Sequence, residues 1–173
     1  MTVRDRIKPL TWSFEDDGLV PNNSLPLLVY KDAVDVEVRD AEAAIEKLFD
    51  TNGWGQTWRD GIFDYQHYHA TVHEALGVAR GRALVLFGGE GGEAIEITAG
   101  DVVILPAGTG HKRLFASHDL RVVGAYPPGP NMHVTRPTPE NYRKARLTIP
   151  KVKVPKTDPV FGANGPLLQI WKS

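Results

Sequence analysis

The stretch that decides the fold runs Gly61-Ile62-Phe63-Asp64-Tyr65-Gln66-His67-Tyr68-His69-Ala70-Thr71-Val72-His73-Glu74-Ala75-Leu76-Gly77-Val78-Ala79-Arg80-Gly81. On a strand, residues two apart share a face, so His67 and His69 can aim two imidazoles at one point. Glu74 opens a second alternating run, and a tight turn before it brings a carboxylate back toward the pair. His73 and Glu74 are adjacent and face opposite ways. Glu74 shares parity with Leu76 and Val78, His73 with Ala75, Gly77 and Ala79. The larger apolar residues belong in a barrel interior, so Glu74 is the expected inward group. His73 is the alternative that a β-bulge would select.

Working outward, Pro106-Ala107-Gly108-Thr109-Gly110 is a turn that can deliver His111 from elsewhere in the sheet. Three histidines and one carboxylate suit Fe(II), Mn(II), Ni(II), Zn(II) or Co(II). Metal binding needs neutral imidazoles, so occupancy should fall as pH drops through about 6.5. Phe63 and Tyr65 share the parity of His67 and His69, and face either the cavity or the barrel core. Gln56, Trp58 and Arg59 either rim the mouth or lie on the surface, with surface the preferred reading, and His118 and His133 read as surface.

From Trp54 onward short β-rich runs alternate with Gly/Pro turns, predicting strands near 62–69, 73–80, 82–87, 94–98, 101–105, 112–116 and 119–126. Seven short strands of this kind argue for a mostly β antiparallel sandwich or barrel. Before them, Leu27–Tyr30 reads as a strand and residues 40–51 as one helix. Asp40 is its N-cap, Ala44, Ile45, Leu48 and Phe49 its apolar stripe, and Asn52-Gly53 its stop. Nothing later looks as helical. The organisation is one domain over 1–173: an N-terminal arm, strand and helix (1–53), a barrel (54–126) and a wrapping tail (127–173) that re-docks through Leu167, Leu168, Ile170 and Trp171.

Composition removes several function classes. Cysteine is absent, which excludes disulfides, thiolate nucleophiles and Cys-ligated metals. With Lys+Arg 20 against Asp+Glu 21, no net field favours nucleic acid or an anionic membrane. The basic run Arg143, Lys144, Arg146, Lys151, Lys153 and Lys156 lacks interleaved aromatics and reads as a solvated face. Gly88-Gly89-Glu90-Gly91-Gly92 lacks the Lys-Ser/Thr of a phosphate loop and reads as a hairpin turn. There is no Gly-x-Ser-x-Gly elbow. A charged N-terminus without an apolar h-region, and no long apolar run, predict a cytoplasmic protein.

The two motifs together resemble the cupin family. Gly61, His67-x-His69, Glu74 and Gly81 match the spacing of its first signature, and Gly100, Pro106-x-Gly108 and His111 that of its second. The stretch from Gly53 to Pro127 is similar, more narrowly, to the bacterial YjlB-like cupins. The resemblance implies a double-stranded β-barrel, or jelly roll, with a divalent metal in its mouth held by His67, His69, Glu74 and His111. It also implies a homodimer, as many cupins form. One position departs: the Asn that closes the second motif is Phe115 here, which makes that region apolar.

Tyr65, Phe63, Leu76 and Phe115 form the expected substrate pocket. The expected function is a metal-dependent oxygenase or isomerase acting on a small molecule, which the metal would polarise. The alternatives are a non-catalytic small-molecule binding or sensing cupin, and a metal-free barrel.

Overall fold

The computed structural model describes Val3, Arg4 and residues 7–172. Met1, Thr2, Asp5 and Arg6, part of the charged N-terminus used above for localisation, lie outside the described residues, as does Ser173. In chain order the elements are β1 (Leu10–Trp12), β2 (Leu27–Tyr30), α1 (Ala41–Thr51), β3 (Gly55–Asp60), β4 (Glu74–Arg80), β5 (Arg82–Phe87), β6 (Glu93–Thr98), β7 (Val102–Leu105), β8 (His111–Ala116), β9 (Arg121–Tyr126), α2 (Pro139–Thr148) and α3 (Pro166–Ile170). Among the described residues no helix is long and apolar enough to cross a membrane.

The strands form two antiparallel sheets, one ordered β1-β2-β7-β4-β9-β3 and the other β6-β5-β8. The two sheets pack face to face as a mostly β sandwich of jelly-roll type. Between the sheets lie Val29, Leu76, Val78, Val85, Phe87, Ile97, Val103 and Val122. The large sheet is also covered on its outer face, where Leu28, Tyr30, Ala75, Ala79, Ile104 and Val123 meet Ile45 and Phe49 of α1 and Val160, Leu167 and Trp171 of the tail. That double cover is why β2 and β7 are buried at every position while burial alternates along β5. The parity of β4 follows directly: Leu76 and Val78 fill the barrel, and the small residues Ala75 and Ala79 sit under the helix.

Helix α1 forms as its sequence dictates. The Asp40 side chain accepts from the Ala43 N–H at 3.0 Å, and Ile45 and Phe49 are its buried face. The chain then departs from expectation. Residues 62–69 are not a strand; the strand is β3, which starts and ends earlier and pairs with β9. The alternation in 62–69 has another cause. Its backbone makes only isolated bridges, His67 with His111 and Tyr68 with Thr135, and Phe63, His67 and His69 line a cavity rather than forming a ladder.

The tail carries a helix that the sequence reading did not anticipate. Thr138 caps α2 by accepting from the Asn141 N–H at 3.1 Å, and Pro139 sits in the first turn. Only Ala145 of α2 is buried, so it has no apolar stripe to be recognised by. The rest of the tail is tied down through Asp158. Its carboxylate accepts from the Tyr30 hydroxyl, from the Val160 and Phe161 N–H groups at 2.8 and 3.0 Å and from the Leu167 N–H at 3.2 Å.

Candidate metal centre

Three segments deliver the site. The loop 61–73 carries His67 and His69, β4 begins at Glu74, and β8 begins at His111. The His67 and His111 backbones hold each other: the His67 N–H donates to the His111 carbonyl at 3.2 Å, and the His111 N–H donates to the His67 carbonyl at 2.9 Å. The Gly108 N–H donates to the His69 carbonyl at 2.7 Å. Gly108 has φ +89°, and a Cβ there would lie 2.6 Å from the Asn22 carbonyl oxygen and 2.5 Å from Ile149 Cδ1. Only glycine takes this turn at so close an approach.

The side chains converge. One ring nitrogen from each of His67, His69 and His111 lies within 4.8 Å of the others, and all three residues are buried. Every ring has its other nitrogen committed: Nδ1 faces the Tyr65 carbonyl at 3.0 Å for His67, the His133 carbonyl at 2.9 Å for His69 and the Thr109 carbonyl at 3.0 Å for His111. A carbonyl only accepts, so each Nδ1 carries the proton and each Nε2 presents a lone pair. Glu74 completes the ring, with Oε2 3.3 Å from His69 Nε2 and Oε1 3.5 Å from His111 Nε2. Glu74 Oε1 is buried without a hydrogen-bond partner.

Three lone pairs and an orphan carboxylate oxygen facing one another call for a positive charge between them. Burial alone would raise the Glu74 pKa, but the His69 and His111 rings beside it hold it well below the usual carboxylate range. Burial likewise opposes protonation of His69, yet the Glu74 charge and its hydrogen bond outweigh it and raise that pKa. His67 is pushed down to about 3 by burial and by His111. A proton on His69 meets the requirement, and a divalent cation meets it with more of the donors used. This donor set could hold a metal.

Behind the carboxylate stands a relay that sequence reading missed. The Tyr126 hydroxyl donates to Glu74 Oε2 at 2.9 Å and accepts from Trp58 Nε1–H at 2.7 Å. Trp58 lies flat over Gly124, where a Cβ would come within 2.1 Å of the indole. Tyr126 shares strand parity with the interior residue Val122, which was the available signal. Trp58, read as surface, had none.

His73 stands outside the group, on the opposite face of β4. Its Nδ1 accepts from the Ala107 N–H at 2.9 Å and its Nε2–H donates to the Lys153 carbonyl at 3.1 Å, while its ring packs on Trp171 with centroids 4.9 Å apart. Burial pushes its pKa down to about 4 from 6.5. The unfolded chain therefore binds the proton more readily, and stability should be lost as pH falls from about 6.5 toward 4, by up to roughly 3 kcal/mol from this residue. His67 loses stability across the whole of that window and on toward pH 3. The check is thus the difference in melting temperature between wild type and His73→Gln across it, which should narrow toward pH 4.

A cavity of about 380 Å³ opens above the centre, and Phe63 and Leu76 are among its walls with Trp58, Ile62, Met132 and Val134. Two expected pocket residues stand elsewhere. Tyr65 does not line it: its ring stacks on Phe63 at 4.9 Å and lies under the Arg136 guanidinium at 3.7 Å. Phe115 is on the outer face, 47% exposed, beside Arg82. The cause is a bulge. Val85 pairs with Arg113 but its neighbour Leu84 pairs with Phe115, so Leu114 is an extra residue that turns Phe115 outward. Met132 and Val134 arrive from the tail, and nothing local in the sequence marks them.

No family model matches the chain. It is 40% identical over 162 residues to the uncharacterized protein YjlB of Bacillus subtilis (strain 168), covering 93% of this chain and 95% of that one. The chain belongs to the YjlB family. Among solved structures, this YjlB-family barrel is similar to acireductone dioxygenase from Bacillus anthracis with a cadmium ion in its active centre, at 15% identity, with 75% of this chain and 79% of that one covered and a TM-score of 0.36. It is also similar to RmlC from Streptococcus suis in complex with dTDP-D-xylose, at 14% identity, with 95% and 94% covered and a TM-score of 0.37. Likenesses of this size carry no activity across to the YjlB-family chain.

Proposed function

We propose that this YjlB-family protein is a metal-dependent enzyme of oxygenase or isomerase type that acts on a small molecule, with His67, His69, Glu74 and His111 holding a divalent transition metal. The observation that supports it is the shared orientation of the three imidazoles. Each spends its Nδ1–H on a backbone carbonyl and leaves its other nitrogen to the cluster, where Nε2 of His69 and of His111 lie 3.3 and 3.5 Å from the Glu74 carboxylate. A divalent metal bound there supplies a Lewis-acid centre and, for a redox-active ion, electron exchange with dioxygen.

The chain's own residues prepare that site. Tyr126, itself held by the Trp58 Nε1–H, orients Glu74 by donating to Oε2, which leaves Oε1 on the His111 side. Burial and the Glu74 charge raise the Tyr126 pKa far above its ordinary value, so the phenol stays a hydrogen-bond donor and does not serve as a base. Ile62, Leu76 and Val134 exclude water from the cavity walls.

The test is reconstitution of the apoprotein with Fe(II), Mn(II), Ni(II), Zn(II) and Co(II) separately, followed by oxygen-uptake and carbonyl-isomerisation screens over carboxylates, diketones and catechols. The expected result is about one retained equivalent of at least one metal and turnover with it. Retained metal with saturable ligand binding but no turnover would establish the non-catalytic binding reading instead. Failure to retain any of the metals would overturn both the metal centre and the enzyme built on it.

A further inference from the structure

The cavity has two chemically different ends. At its floor, Glu74 and the three histidines are committed to one another. Its walls are Trp58, Ile62, Phe63, Leu76, Met132 and Val134, none of them charged. Two arginines also border it, and they differ in what they already hold. The Arg59 guanidinium is bound to helix α1, with Nη2 2.5 Å from Glu46 Oε1 and Nη1 3.5 Å from Glu42 Oε2. It is neutralised outside the cavity. Arg113 has only Asp64, at 3.7 Å, beyond hydrogen-bond range, and that carboxylate is 71% exposed. Among the described residues its guanidinium makes no other ion pair or side-chain hydrogen bond.

The register of β8 on β5 fixes the face on which Arg113 stands. His111 pairs with Phe87 and Arg113 with Val85, and both partners are buried in the barrel interior. Arg113 therefore stands on the same face as His111, about 7 Å further along the strand, two residues at the usual rise. Its backbone is anchored as well, since its N–H donates to the Phe63 carbonyl at 2.9 Å. Asp60, the other charged residue at the cavity, lies on the β3 side, where its Oδ1 accepts from the Gly61 N–H at 2.8 Å. Its charge repels an anion there, which leaves the Arg113 side for one.

We propose that Arg113 is the specificity-determining residue of this cavity, and that it recognises the carboxylate of a small organic acid whose apolar body lies between the guanidinium and the histidine centre. A planar guanidinium matches a carboxylate with two parallel N–H donors, an interaction that a neutral amide cannot reproduce. The volume of about 380 Å³ is at the small end of ligand cavities. That size suits an acid of a few carbons or one ring.

The inference deepens the function proposed above and rests on that cavity being a ligand site, so the experiment reads metal and ligand separately. Calorimetric titration of the reconstituted protein with short alkanoates and with benzoate, each beside its amide, should show at least one acid bound about tenfold or more tightly than its amide. Arg113→Gln should erase that preference and Arg113→Lys should keep part of it, with metal content unchanged in both. A preference that survives in Arg113→Gln, or an absence of acid preference across the panel in wild type, overturns the proposal. Loss of metal from wild type would instead overturn the metal centre. An acid preference in that metal-free protein, erased by Arg113→Gln, would still support Arg113.

Discussion

His111→Ala should lower the metal retained after reconstitution and desalting from about one equivalent to under a tenth, while the barrel stays folded. Even residues that only orient a metal ligand are worth about 10–100-fold in affinity, and a ligand itself is worth more. His111 also occupies the middle of the group: its ring centroid is 3.9 Å from that of His67 and 5.4 Å from that of His69, and its Nε2 faces Glu74 Oε1. Removing it leaves the other three donors in an open arc. The fold should tolerate the change because the link between the loop and β8 is made by backbone groups, which alanine keeps. His73→Gln is the matched control, since His73 is as deeply buried but spends both ring nitrogens on backbone partners. Elemental analysis of both variants reads the outcome, and near-normal retention in His111→Ala would remove the centre as drawn.

Trp171→Ala should cost about 3–5 kcal/mol, the range for truncating a buried aromatic. For a chain of this length that is a fall in melting temperature on the order of 10 °C. The indole is 1% exposed, donates Nε1–H to the Pro26 carbonyl at 2.8 Å and packs on the buried His73 ring. It joins β2, β4 and the tail in one contact, so alanine leaves a void and an unpaired carbonyl together. Trp171→Phe restores most of the packing without the donor and should fall between the two. A scanning-calorimetry shift of under about 2 °C for the alanine variant would show that the tail contributes little to the fold.

What the sequence made legible was whatever follows from parity and spacing. The inward Glu74, the outward His73, the capped helix α1 and the barrel itself were all readable because each depends on residues within a few positions. Four features were not. The alternation of 62–69 is genuine, yet it reflects side chains lining a cavity, which the same period produces without a ladder. Phe115 was displaced by one extra residue at Leu114, and the run His111–Ala116 contains no glycine or other mark of a bulge. Helix α2 lacks an apolar stripe, although Thr138, Pro139 and Glu140 are a helix start in themselves. Trp58, Tyr126 and Arg113 needed the sheet order before their neighbours were known.

The carbonyl that fixes the His69 ring belongs to His133, which the ribosome adds after every one of the four candidate donors. A chain cut just after β9 would keep all four candidate donors, yet its His69 ring would lose the acceptor that fixes its tautomer. The tail is therefore part of how the cluster is oriented, and not only a cover for the sheet.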